Sequence, residues 1–108
     1  MFNIFGGGVP GILAAELKGL LEGKGAKPVL VDVREKNEWD FGHIKGAIHI
    51  PLGQLAGRMA ELDSKASTVV YCRSGSRSSH AASMLKKSGF TDIRNLSGGM
   101  IAWSVISK

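Results

Sequence analysis

Cys72, the only cysteine of the chain, lies at a position that is typical of a reactive thiolate. The apolar run Thr68-Val69-Val70-Tyr71 ends just before it, and the loop Arg73-Ser74-Gly75-Ser76-Arg77-Ser78 follows, ahead of a helix predicted over Ser79 to Ser88. A thiol between a buried strand and a helix faces backbone N–H groups and the positive end of the helix dipole. Both stabilise the thiolate, and a fall of about two units from the usual cysteine pKa of about 8.5 makes it mostly ionised at neutral pH. The sequence therefore predicts a nucleophile.

The basic side chains are concentrated around Cys72. The chain has 14 Lys and Arg residues against 9 Asp and Glu residues, and its formal net charge is +5. No acidic residue lies between Asp63 and Asp92, an interval that holds Lys65, Arg73, Arg77, Lys86 and Lys87. The two adjacent lysines fall in the predicted last turn of the helix, where they complement its dipole. The excess of positive charge around Cys72 predicts an anionic substrate. The basic residues are not interleaved with aromatic residues, which argues against nucleic acid as a partner.

Length and composition predict one domain spanning residues 1–108. One cysteine cannot form an internal disulfide, and Met1–Phe5 is apolar but lacks the basic residues of an export signal. No apolar run approaches the length of a membrane span. These observations predict a cytoplasmic protein with no membrane partner. Residues 1–9 form an apolar, glycine-rich segment that we expect to be an edge strand or partly disordered.

Alternating strand-like and helix-like segments predict an α/β fold. Apolar residues recur at helical spacing from Ile12 to Leu21 and from Leu52 to Leu62. Short apolar runs predict strands over Pro28–Val33, Gly46–Ile50, Thr68–Tyr71 and Thr91–Leu96, with further helices over Glu35–Phe41, Ser79–Ser88 and Met100–Ile106. The apolar residues of the first of these strands follow one another rather than alternate with polar ones, as in strands of a parallel sheet covered on both faces. The pattern predicts a three-layer sandwich in which helices cover a mostly parallel sheet.

Three segments make the chain resemble a known family. They are Val31-Asp32-Val33-Arg34-Glu35 with Glu38-Trp39, then Gly42-His43-Ile44-Lys45-Gly46-Ala47 with Pro51, and finally the Cys72 loop with Leu96-Ser97-Gly98-Gly99-Met100-Ile101-Ala102-Trp103. In this order and spacing, the chain from about Ile12 to its end resembles a single-domain rhodanese, a thiosulfate-type sulfurtransferase. The resemblance implies a central, mostly parallel sheet of five strands with helices on both faces.

The resemblance also implies a chemistry for Cys72. The thiolate would attack the outer sulfur of a small anionic donor such as thiosulfate, hold it as a persulfide and pass it to cyanide, a thiol or a partner protein. Loop N–H groups and two guanidinium groups would bind the donor's negative charge, so the predicted substrate-binding residues are Arg73, Ser74, Gly75, Ser76, Arg77 and Ser78. Asp32 and Arg34 would form a buried pair that supports the site. No metal ion or other cofactor is expected, because a thiolate is already the attacking species.

The sequence is also compatible with other functions. The domain also suits a sulfur relay, which accepts a persulfide sulfur from a protein donor and delivers it to a protein acceptor without turning over thiosulfate. A phosphatase or arsenate reductase on the same fold is disfavoured, because those enzymes have five residues between cysteine and arginine. Here only Arg73 to Ser76 separate Cys72 from Arg77. His43 is expected to make a structural hydrogen bond rather than transfer protons.

Overall fold

The computed structural model describes residues 8–107, which contain a five-stranded sheet. Its strands are β1 (Gly11–Ile12), β2 (Val29–Asp32), β3 (Ile48–His49), β4 (Thr68–Tyr71) and β5 (Ile93–Leu96). The order across the sheet is β1-β5-β4-β2-β3, and each neighbouring pair is parallel. The carboxyl ends of all the strands therefore lie at one edge of the sheet, and β4 is the central strand.

Helices cover both faces of this sheet. They are α1 (Ala14–Glu22), α2 (Lys36–Phe41), α3 (Leu55–Arg58), α4 (Ser76–Lys87) and α5 (Gly99–Ile106). One apolar core lies between the sheet and helices α3 and α4, and a second lies between the sheet and helices α1 and α5. The predicted three-layer α/β sandwich with a parallel sheet is confirmed.

The central strand β4 belongs to both cores. Successive side chains of a strand point to opposite faces, so Val70 packs in the core under α4, whereas Val69 and Tyr71 pack in the core under α1 and α5. All four residues of β4 are buried. The strand ends at Tyr71, which places Cys72 at the carboxyl edge of the sheet, where α/β proteins carry their ligand sites.

The segment from Ile12 to Leu21 is not one helix, as its spacing predicted. Ile12 belongs to the edge strand β1, which pairs with Leu96 of β5, and the helix begins at Ala14. Ile12 is only 2% exposed, whereas Leu13 is 61% exposed at the junction. Backbone pairing with β5 therefore overrides the helical period at the start of this segment.

The segment from Leu52 to Leu62 is also less regular than predicted. Its helix α3 covers only Leu55–Arg58, between single 3-10 turns at Leu52–Gln54 and Met59–Glu61. Glycines at positions 53 and 57 weaken a helix by about 1 kcal/mol each relative to alanine, which accounts for the interruption. Leu55 nonetheless packs in the core, as its spacing predicted.

Helix α4 begins earlier than the sequence predicted. It starts at Ser76 rather than Ser79, so Arg77 and Ser78 lie in its first turn and not in the preceding loop. The cause is Gly75, whose φ of 111° ends the loop and lets the next residue enter the helix. The backbone N–H groups of the first turn are thereby brought up to Cys72.

The prediction for residues 1–9 falls mostly outside the described residues. Only Gly8 and Val9 of that segment are described, and Val9 is buried in the core under α4. Gly11–Ile12 is one of the two edge strands of the sheet, and Ile48–His49 is the other. Within residues 8–107, no helix is both long and apolar enough to cross a membrane.

Candidate active site

Cys72 Sγ accepts hydrogen bonds from the turn that follows it. The side chain is 1% exposed. The N–H of Gly75 lies 3.1 Å from Sγ, and the N–H and hydroxyl of Ser78 each lie 3.3 Å from it. These donors come from the loop and from the first turn of α4, so the sulfur lies where the orphan N–H groups of the helix converge.

The pKa of Cys72 is lowered by these donors. Burial raises the pKa of the thiol, because the charged form loses its hydration. The Ser78 hydroxyl and the N–H groups of Ser78, Gly75 and Ser74 act in the opposite direction and outweigh it, so the pKa lies below its ordinary value. The sequence prediction of a depressed pKa therefore agrees with the structure, although hydrogen bonds, rather than nearby cations, are its main cause.

The carbonyl groups of the loop are held away from Sγ by the start of α5. Met100 N–H donates to the Cys72 carbonyl at 2.9 Å, and Ile101 N–H donates to the Arg73 carbonyl at 3.1 Å. Gly99 makes this approach feasible, since a Cβ at that position would lie 2.5 Å from the Cys72 oxygen and 2.6 Å from the Arg73 oxygen. The glycine pair of the Leu96–Trp103 segment thus has a steric reason: it lets a second helix hydrogen-bond to the carbonyl groups of Cys72 and Arg73.

Asn95 on β5 joins the loop to α4, and the sequence analysis missed it. Its Nδ2 donates to the Gly75 carbonyl at 3.1 Å, and its Oδ1 accepts the Ser78 hydroxyl at 2.6 Å. The single hydroxyl proton of Ser78 is shared between two acceptors, and its contact with Asn95 is shorter than its contact with Sγ. The N–H groups of Gly75 and Ser78 are therefore the donors that Sγ does not share with Asn95. Because Asn95 lies beside Cys72 only through the pairing of β4 with β5, no local motif reveals it.

Arg73 in the loop and Arg77 in the first turn of α4 are placed differently. Arg77 forms a bidentate ion pair with Glu38 of α2, at 2.7 Å for Nη1–Oε1 and 2.9 Å for Nη2–Oε2. The hydrogen bonds that Arg77 donates to Glu38 raise the pKa of Arg77 and lower the pKa of Glu38 to about 2. Arg73 is exposed and has no ion-pair partner among residues 8–107. The predicted pair of sulfonate-binding arginines is therefore one unpaired cation and one neutralised cation.

A groove of about 550 Å³ lies beside the loop. Its lining consists of Arg34, Asn37, Glu38, Phe41, Arg73, Met100, Ile101 and Ser104. Phe41 is 96% exposed and Ile101 is 48% exposed, so the groove has an apolar side next to its charged one. A larger cavity, of about 970 Å³, lies between α1 and the His43–Gly46 segment and includes no residue of the Cys72 loop.

Asp32 and Arg34 form the buried pair that the sequence predicted. Arg34 Nε and Nη2 donate to the Asp32 carboxylate at 3.0 Å and 2.7 Å, and Nη2 also donates to the Gly42 carbonyl at 2.6 Å. Asp32 is fully buried and Arg34 is 5% exposed. This pair fixes the turn after β2, and its guanidinium reaches the wall of the groove.

The remaining predicted residues lie at the edge of the site. Ser74 and Ser76 are both exposed; the N–H of Ser74 contributes to the lowered pKa of Cys72, and Ser76 begins α4. His43 has a structural hydrogen bond, because its Nδ1 donates to the Trp39 carbonyl at 2.9 Å while its ring stacks on the indole at 3.4 Å. Among residues 8–107, no three His, Cys, Asp or Glu side chains are grouped so that they could hold a metal ion.

The chain belongs to the rhodanese-like domain family, whose model matches residues 13–105. It is 47% identical over 77 residues to "Uncharacterized protein YqhL" of Bacillus subtilis (strain 168), an alignment that covers 71% of this chain and 61% of that protein. The chain thus spans less than two thirds of that relative's length. It is 40% identical over 76 residues to a protein of Allochromatium vinosum named "Sulfurtransferase", with 70% of this chain and 71% of that one covered.

Solved structures agree with this family membership. The crystal structure of a rhodanese-related protein from Thermoplasma volcanium superposes with a TM-score of 0.79 at 30% sequence identity. The match covers 88% of this chain and 90% of that one. The resemblance inferred from the three sequence segments is confirmed, and sulfurtransferases among the relatives support a role in sulfur transfer.

Proposed function

We propose that the protein is a sulfurtransferase that carries a sulfane sulfur as a persulfide on Cys72, taken from thiosulfate or another persulfide donor. The observation that supports this most directly is the set of donors around Sγ, from Gly75 and Ser78, at 3.1 to 3.3 Å. They stabilise the thiolate before the reaction. They also form a nest in which a second sulfur, bearing the negative charge of a persulfide, is stabilised.

The reaction consists of two displacements at sulfur. The Cys72 thiolate attacks the outer sulfur of thiosulfate, a new S–S bond forms, and the original S–S bond breaks with its electron pair leaving as sulfite. Cyanide or an acceptor thiolate then attacks the terminal sulfur, and the Cys72 thiolate departs. Neither step needs a general base, because the nucleophile is already ionised.

The neighbouring groups stabilise the negative charge that is present on the donor and on the persulfide in both steps. The unpaired guanidinium of Arg73 attracts the donor's oxygen atoms, and Arg77 adds to this when the donor displaces Glu38. The start of α5 and Asn95 keep the loop in the conformation that points its N–H groups at Sγ. The acceptor in the cell receives the terminal sulfur from the persulfide on Cys72, whether that acceptor is a small thiol or a protein in a relay.

The decisive experiment measures the stored sulfur. Protein mixed with thiosulfate and desalted is expected to gain the mass of one sulfur atom on the Cys72 peptide, and cyanide is expected to remove it. Cys72→Ser should gain no mass and lose turnover while keeping its melting temperature, because a hydroxyl fits the space but has too high a pKa to act. Absence of the adduct with thiosulfate and with a persulfide donor, on reduced and folded protein, contradicts the proposal. Activity retained by the serine variant contradicts it too.

A further inference from the structure

The ion pair between Glu38 and Arg77 has no role in the displacement chemistry, yet it sets the charge beside Cys72. Both terminal nitrogens of Arg77 donate to the two carboxylate oxygens of Glu38. The side chains are 35% and 24% exposed, so the pair lies at the mouth of the site rather than in the core. Arg77 directly precedes Ser78, whose N–H donates to Sγ. Glu38 therefore competes with any anion for this guanidinium.

The charges around the groove leave one cation unpaired. Arg34 is neutralised by Asp32 at 2.7 Å, and Arg77 is neutralised by Glu38 at 2.7 Å. Of the described residues that line the groove or form the loop, Arg73 alone is a cation without an ion-pair partner. A single cation matches a donor with one negative charge better than it matches the dianion thiosulfate.

The groove also presents an apolar surface that thiosulfate does not use. Phe41, Met100 and Ile101 line it next to Arg73 and Glu38. A donor whose sulfane sulfur is attached to an apolar body buries that body against these side chains while its single charge lies beside Arg73.

We propose that Glu38 is a specificity-determining residue, which neutralises Arg77 so that the site selects sulfur donors with a single negative charge and an apolar body over thiosulfate. This inference rests on the proposed function, since it concerns which donor loads Cys72. In the wild-type protein a dianion must displace Glu38 to gain the second cation, whereas a monoanion needs only Arg73.

Two donors that differ by one charge test this proposal. Thiosulfate and benzenethiosulfonate share the S–S bond that breaks, but the second replaces one charged oxygen with a phenyl ring. The electron pair of that bond leaves with sulfite from the first donor and with benzenesulfinate from the second. Glu38→Gln keeps an acceptor for the Glu35 N–H, which Glu38 Oε1 accepts at 3.0 Å, and removes the competing charge. The half-saturating thiosulfate concentration should fall about fivefold, as expected for a partly exposed ion pair. The value for benzenethiosulfonate should change by less than about twofold, because that donor does not need Arg77.

Matched variants isolate the position of the charge and the apolar surface. Asp40→Asn removes the same charge from the same helix, but Asp40 pairs with the exposed Lys36 at 2.7 Å, so this variant should behave as wild type with both donors. Phe41→Ala should weaken the use of benzenethiosulfonate more than the use of thiosulfate, because only the first donor has an apolar body to bury. An unchanged donor preference in Glu38→Gln, or the same change in Asp40→Asn, overturns the proposal.

Alkylation of Cys72 provides a readout that does not depend on sulfur transfer. The ratio of the rate constants with anionic iodoacetate and neutral iodoacetamide should rise about fivefold in Glu38→Gln and stay unchanged in Asp40→Asn. If no donor loads Cys72 but this ratio rises, the proposed function fails while the role of Glu38 in charge selection holds. If donors load Cys72 but neither the ratio nor the donor preference changes, the role of Glu38 fails and the proposed function stands.

Discussion

Arg73 and Arg77, which both follow Cys72 closely in the sequence, show how strongly the existing partner of a side chain decides what it can bind. Sequence alone treats Arg73 and Arg77 alike, because both follow the cysteine in a stretch without acidic residues. The structure pairs Arg77 with Glu38, a residue 39 positions earlier in the chain, and leaves Arg73 exposed. Under the proposed function, Arg77 exchanges one anionic partner for another when a donor binds, whereas Arg73 gains a partner.

Removal of Arg77 should impair thiosulfate use more than use of a less charged donor. Arg77→Ala deletes a cation and leaves the Glu38 carboxylate unpaired beside the site, so the dianion loses an attraction and meets a repulsion. A charge-assisted hydrogen bond of about 1.5 to 3 kcal/mol corresponds to a loss of about 10- to 150-fold in kcat/KM for thiosulfate. Benzenethiosulfonate serves as the second donor and Lys87→Ala, on the exposed last turn of α4, as the control. Equal losses with both donors would mean that the loop has collapsed.

Among the secondary-structure elements, the start of α5 fixes the loop that carries Cys72. Gly99 has a φ of 53°, and its Cα lies so close to the Cys72 and Arg73 carbonyl groups that no Cβ fits. The predicted strand β5, the glycine pair and helix α5 were all visible in the sequence. Their contact with Cys72 was not, because it depends on the pairing of β4 with β5.

Gly99→Ala should therefore damage both stability and reactivity. The methyl group forces the two backbones apart, at a cost of about 1 to 3 kcal/mol for overpacking. Urea unfolding should show this loss, and iodoacetamide should alkylate Cys72 more slowly at neutral pH because the N–H groups leave Sγ. Gly53→Ala is the control, since no atom lies within 4 Å of a Cβ built there. A variant that loses stability but keeps the alkylation rate would show that α5 does not position the loop.

The Glu38–Arg77 ion pair joins helices α2 and α4, and it makes the free energy of unfolding depend on pH. The pKa of Glu38 is about 2 in the folded protein and about 4.3 in an unfolded chain. A depressed pKa stabilises the fold above pH 4.3, and this stabilisation is lost as the pH falls through 2. Partial exposure screens the pair, so the difference in unfolding free energy between wild type and Glu38→Gln should shrink by about 1 kcal/mol between pH 5 and pH 2. A difference that stays constant over this range would contradict the assigned coupling.

For the whole molecule, the sequence predicted the features that depend on the local residue pattern. It did not predict contacts between residues that only the tertiary fold brings together. Continuous apolar runs predicted the parallel sheet, which the structure confirms. The residue types after β4 predicted that Cys72 is a nucleophile, and this stays a prediction. The start of α4 was misplaced because a Ser-Arg-Ser run has weak helix propensity, whereas the observed first turn depends on the φ of Gly75. Asn95 was missed, and the pairing of Glu38 with Arg77 was not predicted, because their partners lie 17 to 39 residues away along the chain.

The net positive charge of the molecule should make the attraction of an anionic donor depend on salt concentration. The described part of the chain measures 34 × 33 × 26 Å. The screening length is about 30 Å at 10 mM salt and about 8 Å at 150 mM, so at low salt the whole excess of +5 attracts an anion, whereas at high salt only charges near Cys72 do. The rate constant for loading by thiosulfate should fall about two- to fivefold between these conditions, and alkylation by neutral iodoacetamide should not change. Lys87→Ala should slow loading only at low salt. If the rate constant for loading does not change with salt concentration, Arg73 and the loop N–H groups alone attract the donor.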